Sequence, residues 1–265
     1  MPAEYTITPL VVAFGIQREM SRFTYLNSPG VKFDIPYVSF LLQSGKMNIL
    51  VDSGCSAEDY KRWIKPAGDE PLQLAGEQFR DVEDAVTIEE RLKNHGLAVD
   101  DIDILVQTHL DWDHCMNTLK FRKSRIVIQK TEIEDQPVHP LYRASHPPDE
   151  IHEEYLKLNL EVVDGNVNLL DGLDLLLTPG HTAGGQSLLV RTPQGPYVIA
   201  GLCTTYANYY IPDEEKKKLG YDVIPPGMHI SAVDAYESVK LLLEIGGDRI
   251  LPLHEPSLAD LRTIE

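Results

Sequence analysis

The chain has 265 residues, with 24 Lys and Arg against 41 Asp and Glu and a formal net charge of −17. So acidic a surface offers no basic stripe that could release counterions from a phosphate backbone, which argues against a nucleic-acid partner. Cys55, Cys115 and Cys203 are too few and too widely spaced for a disulfide framework. No uncharged run approaches membrane-spanning length. The expectation is a soluble, cytoplasmic protein with a small-molecule substrate and neither a nucleic-acid nor a membrane partner. Self-association as a homodimer stays open.

In chain order, strand-like runs fall at Tyr5 to Phe14, Tyr37 to Gln43 and Asn48 to Val51, broken by turn-rich segments such as Asn27-Ser28-Pro29-Gly30, so the chain opens antiparallel. Thr87-Ile88-Glu89-Glu90 has the spacing of a capping box and starts a helix that ends near His95-Gly96. Further strands follow at Ile102 to Val106 and Arg125 to Gln129. The stretch from Glu134 to Tyr155, rich in Pro, His and acidic residues, reads as an irregular surface segment. Strands at Leu173 to Leu177, Ser187 to Arg191 and Tyr197 to Ala200 lead into a Tyr-, Lys- and Pro-rich loop from Thr204 to Gly227. A helix from about Ser231 to Ile245 and a strand at Arg249 to Leu253 close the pattern. With no repeat, linker or low-complexity tract, residues 1–265 read as one domain of mixed strands and helices.

Chemistry concentrates in Thr108-His109-Leu110-Asp111-Trp112-Asp113-His114, where two imidazoles and two carboxylates follow the apolar run Ile102 to Val106. Imidazole and carboxylate at a strand end suit a zinc, iron or manganese site, and side chains this close together can diverge toward two neighbouring points. His181, in Pro179-Gly180-His181-Thr182, and His254, in Pro252-Leu253-His254-Glu255, likewise follow strand-like runs. Gly180, Gly184 and Gly185 supply tight backbone around His181, and Thr182 and Gln186 shape the turn. Any one of these residues could be a strand cap, a helix cap or a packed core histidine; the set together points to metal. His229 either faces the pocket or caps the last long helix. His95, His139, His146 and His152 read as ordinary surface residues.

These motifs, in this order, resemble the metallo-beta-lactamase fold hydrolases, and within them the N-acyl-homoserine lactonase-like branch. That pattern is His-x-His-x-Asp-His, then Gly-His, then a bridging Asp, then a C-terminal His. It maps onto His109, Asp111, Asp113 and His114, then Gly180-His181, then His254. Ile49-Leu50-Val51-Asp52-Ser53-Gly54 is similar to the early strand and turn whose Asp supports the site from behind. The resemblance implies an α/β fold of the αββα sandwich type: two mixed β-sheets packed face to face with helices outside. It further implies one or two divalent metal ions per chain, with His109, Asp111 and His181 holding one and Asp113, His114 and His254 the other. Zinc is the first expectation, with iron or manganese next.

There are two departures from that pattern. Asp111 stands where the second His of the motif would be, an anionic oxygen in place of a neutral nitrogen, which shifts metal preference toward iron or manganese. The bridging Asp is missing from Val198-Ile199-Ala200-Gly201-Leu202-Cys203, leaving Cys203 as either a ligand or a small buried thiol. Tyr206 follows three residues later, at the spacing the lactonase-like branch uses for a tyrosine.

The implied activity is hydrolysis of a lactone or related carboxylic ester by metal-activated hydroxide, since a divalent cation lowers the pKa of water from about 16 to about 7. Asp113 would orient the nucleophile and relay its proton, and Tyr206 would hydrogen-bond the tetrahedral intermediate. Two segments, Gly15 to Val31 and Thr204 to Gly227, carry Phe23, Tyr25, Tyr206, Tyr209, Tyr210 and Tyr221, aromatic surface for an apolar substrate pocket. Two alternatives remain: a di-iron oxidoreductase of flavodiiron type, and a degenerate metal-binding scaffold without hydrolysis.

Overall fold

The structure is a computed structural model that describes residues 3–45, 47–58, 60, 82–134 and 145–265. Its first sheet contains β1 (Thr6–Glu19), β2 (Lys32–Ser44), β3 (Met47–Val51), β4 (Val82–Asp84), β5 (Ile104–Val106), β6 (Arg125–Gln129) and β7 (Leu160–Val163), in the order β4-β1-β2-β3-β5-β6-β7. The second contains β8 (Val167–Leu170), β9 (Leu173–Leu177), β10 (Gln186–Thr192), β11 (Gly195–Ala200) and β12 (Ile250–Pro252), in the order β12-β11-β10-β9-β8. As expected, β1, β2 and β3 run antiparallel, whereas β3, β5, β6 and β7 are parallel to one another. In the second sheet only β11 and β12 pair in parallel.

Strands buried on both faces read as unbroken apolar runs, and period-two geometry then sorts their side chains. Ile49 and Val51 of β3 and Ile104 and Val106 of β5 point between the sheets, where they meet Leu175, Leu188, Val190, Ile199 and Leu251 of the second sheet. Leu50 and Leu105 point the other way, onto Ile88 and Leu92 of the helix Ile88–Asn94. Outside the second sheet, Val198, Ala200 and Ile250 meet Val239 and Leu242 of the helix Ala232–Gly246. The result is the αββα sandwich. No helix among the described residues is long and apolar enough to cross a membrane.

The helix start expected at Thr87 forms, and the last long helix also begins at a side-chain cap. Thr87 Oγ1 accepts from the Glu90 amide, and Ser231 Oγ accepts from the Asp234 amide at the start of the last long helix. Other expectations need correction. Gly15 to Glu19 continues β1 instead of looping out, with a bulge between Gly15 and Arg18 and Gln17 at φ +51°. Strands β4, β7 and β8 carry no strong alternation: all three are sheet edges, where one unpaired side relaxes the pattern. Within the segment read as irregular, Asp149–Tyr155 is a helix entered from Pro148, burying His152 and Tyr155. Residues 135–144, and with them His139, lie outside the described residues.

Candidate metal centre

The centre sits at the carboxyl ends of the parallel strands, where loops leave a sheet without continuing its ladder. From β3 comes Asp52, held at φ +59° and fully buried. Its Oδ1 accepts from the Gln107 side-chain amide at 3.0 Å and the Thr108 backbone amide at 2.7 Å; its Oδ2 accepts from the Thr108 hydroxyl at 2.7 Å and His114 Nδ1 at 2.9 Å. One carboxylate thereby ties the end of β3 to the loop after β5. That loop carries His109 and Asp111 and enters a single turn of helix, Trp112–Cys115, which carries Asp113 and His114.

Two groups of three assemble. The ligand-capable atoms of His109, Asp111 and His181 all lie within 4.8 Å of one another, and so do those of Asp113, His114 and His254. Asp111 Oδ2 is 3.2 Å from His181 Nε2 and 3.9 Å from His109 Nε2. Asp113 Oδ2 is 3.3 Å from His114 Nε2 and 3.7 Å from His254 Nε2. The groups adjoin, with the His109 and His114 rings 4.2 Å apart. These are the two groupings read from the sequence.

All four histidines are anchored at Nδ1 and face the centre with Nε2. His181 Nδ1 donates to the Met228 carbonyl at 2.8 Å, and His254 Nδ1 to the Pro36 carbonyl at 3.3 Å. His114 Nδ1 meets Asp52. His109 Nδ1 lies 2.9 Å from the Thr108 hydroxyl, which gives its own proton to Asp52 and so accepts from the ring. Each Nδ1 proton is thus directed outward, which leaves each Nε2 lone pair for the centre. Nε2 of His109 and of His114 is buried without a hydrogen-bond partner. A buried polar atom in that state costs free energy unless a ligand completes it. The residues therefore fit divalent cations, and mixed imidazole and carboxylate donors suit zinc, iron or manganese.

Electrostatics agree. Burial lowers the His109 pKa well below its usual value, and the neighbouring imidazoles add to the effect, so the ring is neutral. Burial likewise holds His254 down at about 4. Burial raises Asp113, but His114 and His254 outweigh it and hold the carboxyl well below the usual range. His114 is drawn upward against its own burial by Asp113 and Asp52. A ring between two carboxylates calls for positive charge there, which a cation at Nε2 supplies in place of a proton.

The loop after β9 brings in His181. Gly180 has φ +126°, and a Cβ there would overlap the Ala235 backbone, so only glycine lets the loop pass beneath the last long helix. Buried Glu132 clamps this loop to the histidine motif: it accepts from the Leu110 amide at 2.8 Å, the Thr182 hydroxyl at 2.7 Å and the Gly184 amide at 3.0 Å. Gln186, on the same turn, donates to the Gln107 carbonyl.

Other expected site residues fall elsewhere. Cys203 is buried in the wall of the cleft but belongs to neither ligand group, and burial pushes its thiol well above the usual range. Tyr206 does not line the cleft: its backbone amide donates to Glu255, its ring lies 5.5 Å from that of Tyr210, and burial raises its pKa to about 12. Among the aromatics expected around the pocket, Phe23 lines it, while Tyr25 packs on His229, itself turned toward the Pro226 carbonyl. The segment Thr204 to Gly227 contributes no lining residue to the cleft.

His146 and His152 are not surface residues. His146 Nδ1 stands 3.5 Å from Asp111 Oδ1, and His152 is buried on its helix. The cleft, about 490 Å³ including its open mouth, is bounded by Arg18, Arg22, Tyr37, Trp112, Met228 and the ligand groups. Arg18 and Arg22, four apart in Arg18-Glu19-Met20-Ser21-Arg22, went unremarked in the sequence because their convergence depends on the β1 bulge.

An αββα sandwich with two adjoining cation-sized His/Asp groups at its strand ends defines a metal-dependent hydrolase. The chain belongs to the metallo-beta-lactamase superfamily, whose family model matches residues 34–254. It is 29% identical over 193 residues, 71% of each chain, to an N-acyl homoserine lactonase of Bacillus thuringiensis, and 29% identical over 231 residues to the lactonase AiiB of Agrobacterium fabrum, covering 82% of this chain and 80% of that one. Its fold matches that of a B. thuringiensis AiiA variant with N-decanoyl-L-homoserine at the active site (TM-score 0.73, 22% identity, 98% and 96% of the two chains). It also matches AidC, a dizinc quorum-quenching lactonase (TM-score 0.64, 17% identity, 97% and 89%). The flavodiiron alternative gains no support from these likenesses.

Proposed function

We propose that this protein opens a lactone, or cleaves a related carboxylic ester, at a two-cation centre, with zinc the first candidate. The observation that carries this is the convergence of two complete donor triads, His109, Asp111 and His181 beside Asp113, His114 and His254, on one open cleft. Divalent cations bound by these six side chains would supply acidified water at neutral pH and Lewis acidity toward an acyl oxygen. The chain's own residues do the rest. Asp113, kept ionised by His114 and His254, accepts a proton from the attacking water at a carboxylate oxygen and returns it to the alkoxide released when the acyl carbon–oxygen bond breaks. The products are a carboxylate and a hydroxyl. Asp52, Thr108 and the Met228 and Pro36 carbonyls hold the imidazoles in register, so little reorganisation is needed during reaction. A degenerate scaffold would be expected to have lost at least one triad member, and both triads are whole.

The test is turnover of a panel of lactones and aryl esters by zinc-supplemented protein, with metal content measured alongside. His109→Ala and His254→Ala should each abolish hydrolysis and lower the metal count while circular dichroism stays native. Retained turnover in both variants would contradict the proposal.

A further inference from the structure

Arg18 is a buried cation in search of an anion. It leaves β1 at the bulge and is only 5% exposed, at the wall of the cleft that holds both ligand groups. Among the described residues it forms no ion pair; Tyr37 is its hydrogen-bonding neighbour, and its Nε and Nη2 have no hydrogen-bond partner. Gly15 makes room for it: a Cβ there would come 2.7 Å from Arg18 Nε and 2.5 Å from the Tyr37 hydroxyl. The two unpaired nitrogens are the pair on one edge of a guanidinium, whose N–H bonds point the same way and match the two oxygens of a carboxylate. An unpaired charge is costly to keep out of water, so a fold that retains one beside a cleft is completed by an anion arriving there. Arg22, on the same wall, adds positive field; its Nη2 donates to the Met228 thioether at 2.8 Å, a weak acceptor. In a chain of net charge −17, these two arginines add local positive field for an anionic ligand.

We propose that the cleft takes a substrate bearing a carboxylate beside its scissile lactone or ester bond, and that Arg18 grips this carboxylate through Nε and Nη2. This rests on the hydrolase reading of the same cleft and narrows its substrate class to anionic lactones or esters. The interior thereby selects by charge, and a neutral analogue leaves the Arg18 fork unmatched.

Three probes test it: γ-butyrolactone, the same ring carrying a carboxylate on the carbon next to the ring oxygen, and the methyl ester of that acid. Metal-loaded wild type should prefer the carboxylated lactone to its methyl ester by about tenfold to a hundredfold in kcat/KM, the range of a charged hydrogen-bonded pair. Arg18→Gln should bring that ratio close to one, and Arg18→Lys, which keeps the charge without the fork, should restore it only in part. Calorimetry should show wild type binding 2-hydroxyglutarate, the carboxylated product, more tightly than 4-hydroxybutyrate, and Arg18→Gln losing the difference. Without ligand, Arg18→Gln should melt no lower than wild type, because the buried charge it removes is unpaired.

Equal rates on acid and methyl ester, or a preference that survives Arg18→Gln, would overturn the proposal and leave hydrolysis standing. A clearly lower melting point for Arg18→Gln with binding selectivity intact would show a structural cation and overturn it too. Failure of every lactone and ester to react would instead sink the hydrolase reading, and the product-binding comparison would still decide the role of Arg18.

Discussion

Replacing Asp52 with Asn removes one charge and one acceptor oxygen from the most enclosed part of the centre while keeping side-chain volume. The carboxylate serves four donors, two at each oxygen: Gln107 and the Thr108 amide at Oδ1, and the Thr108 hydroxyl and His114 Nδ1 at Oδ2. An amide offers one oxygen only. The Thr108 N–H cannot turn, and the Gln107 amide is pinned by the His109 carbonyl and the Thr118 hydroxyl, so the Asn oxygen stays with them and its NH2 faces the other pair. Thr108 can rotate its hydroxyl to accept. His114 can accept only by moving its ring proton from Nδ1 to Nε2, the atom that faces Asp113 and His254.

The fold should lose about 1.5–3 kcal/mol, the worth of a charged hydrogen bond, which a domain of ordinary stability, roughly 5–15 kcal/mol, survives. Metal affinity at the Asp113, His114 and His254 group should fall about 10- to 100-fold, as for lost outer hydrogen bonds to ligands generally. Chelator-competition titrations with zinc, urea melts of metal-free protein and nitrogen chemical shifts of the His114 ring measure the three effects. If the variant binds two cations as tightly as wild type, or keeps the proton on His114 Nδ1, the role given to Asp52 is wrong.

Gly180→Ala places a Cβ against the Ala235 backbone at φ +126°; it should cost roughly 3 kcal/mol or more and show as a lower urea midpoint. A midpoint equal to wild type would mean the His181 loop can shift freely. Asp111→His restores a neutral nitrogen donor beside His109 and His181 and should move the bound metal toward zinc with little loss of fold. Elemental analysis of both proteins expressed in the same mixed-metal medium reads this, and an unchanged metal ratio would remove Asp111 from the ligand set. Tyr206→Phe should leave kcat nearly unchanged, since the phenol does not line the cleft; a drop of more than about tenfold, or ~1.4 kcal/mol of barrier, would put it back in the mechanism.

Much of the site was legible because its chemistry is local. His109, Asp111, Asp113 and His114 fall within six residues at the end of an apolar run, and His181 and His254 each follow another run of the same kind. The spacing rule failed with Tyr206. Three residues past Cys203 is a sequence distance, and the chain spends it entering a short helix, Tyr206–Tyr209, whose first amide is capped by Glu255. Histidines after Pro148 and Ser145 were misjudged for the opposite reason. Polar, proline-rich sequence reads as surface, yet His152 is buried by a helix and His146 is brought against Asp111.

By itself the sequence determined the apolar runs of the central strands and the six ligand-capable residues, because apolar runs and close-set donors are properties of short stretches of chain. Only the tertiary structure decided what surrounds them: that Glu132 ties the motif to the His181 loop, that the Pro36 and Met228 carbonyls aim two imidazoles, and that Arg18 lies unpaired in the wall. Those arrangements join residues up to 218 positions apart. The placement of Arg18 hangs on the β1–β2 register and one bulge within it, and a one-residue slip there would turn it to the other face.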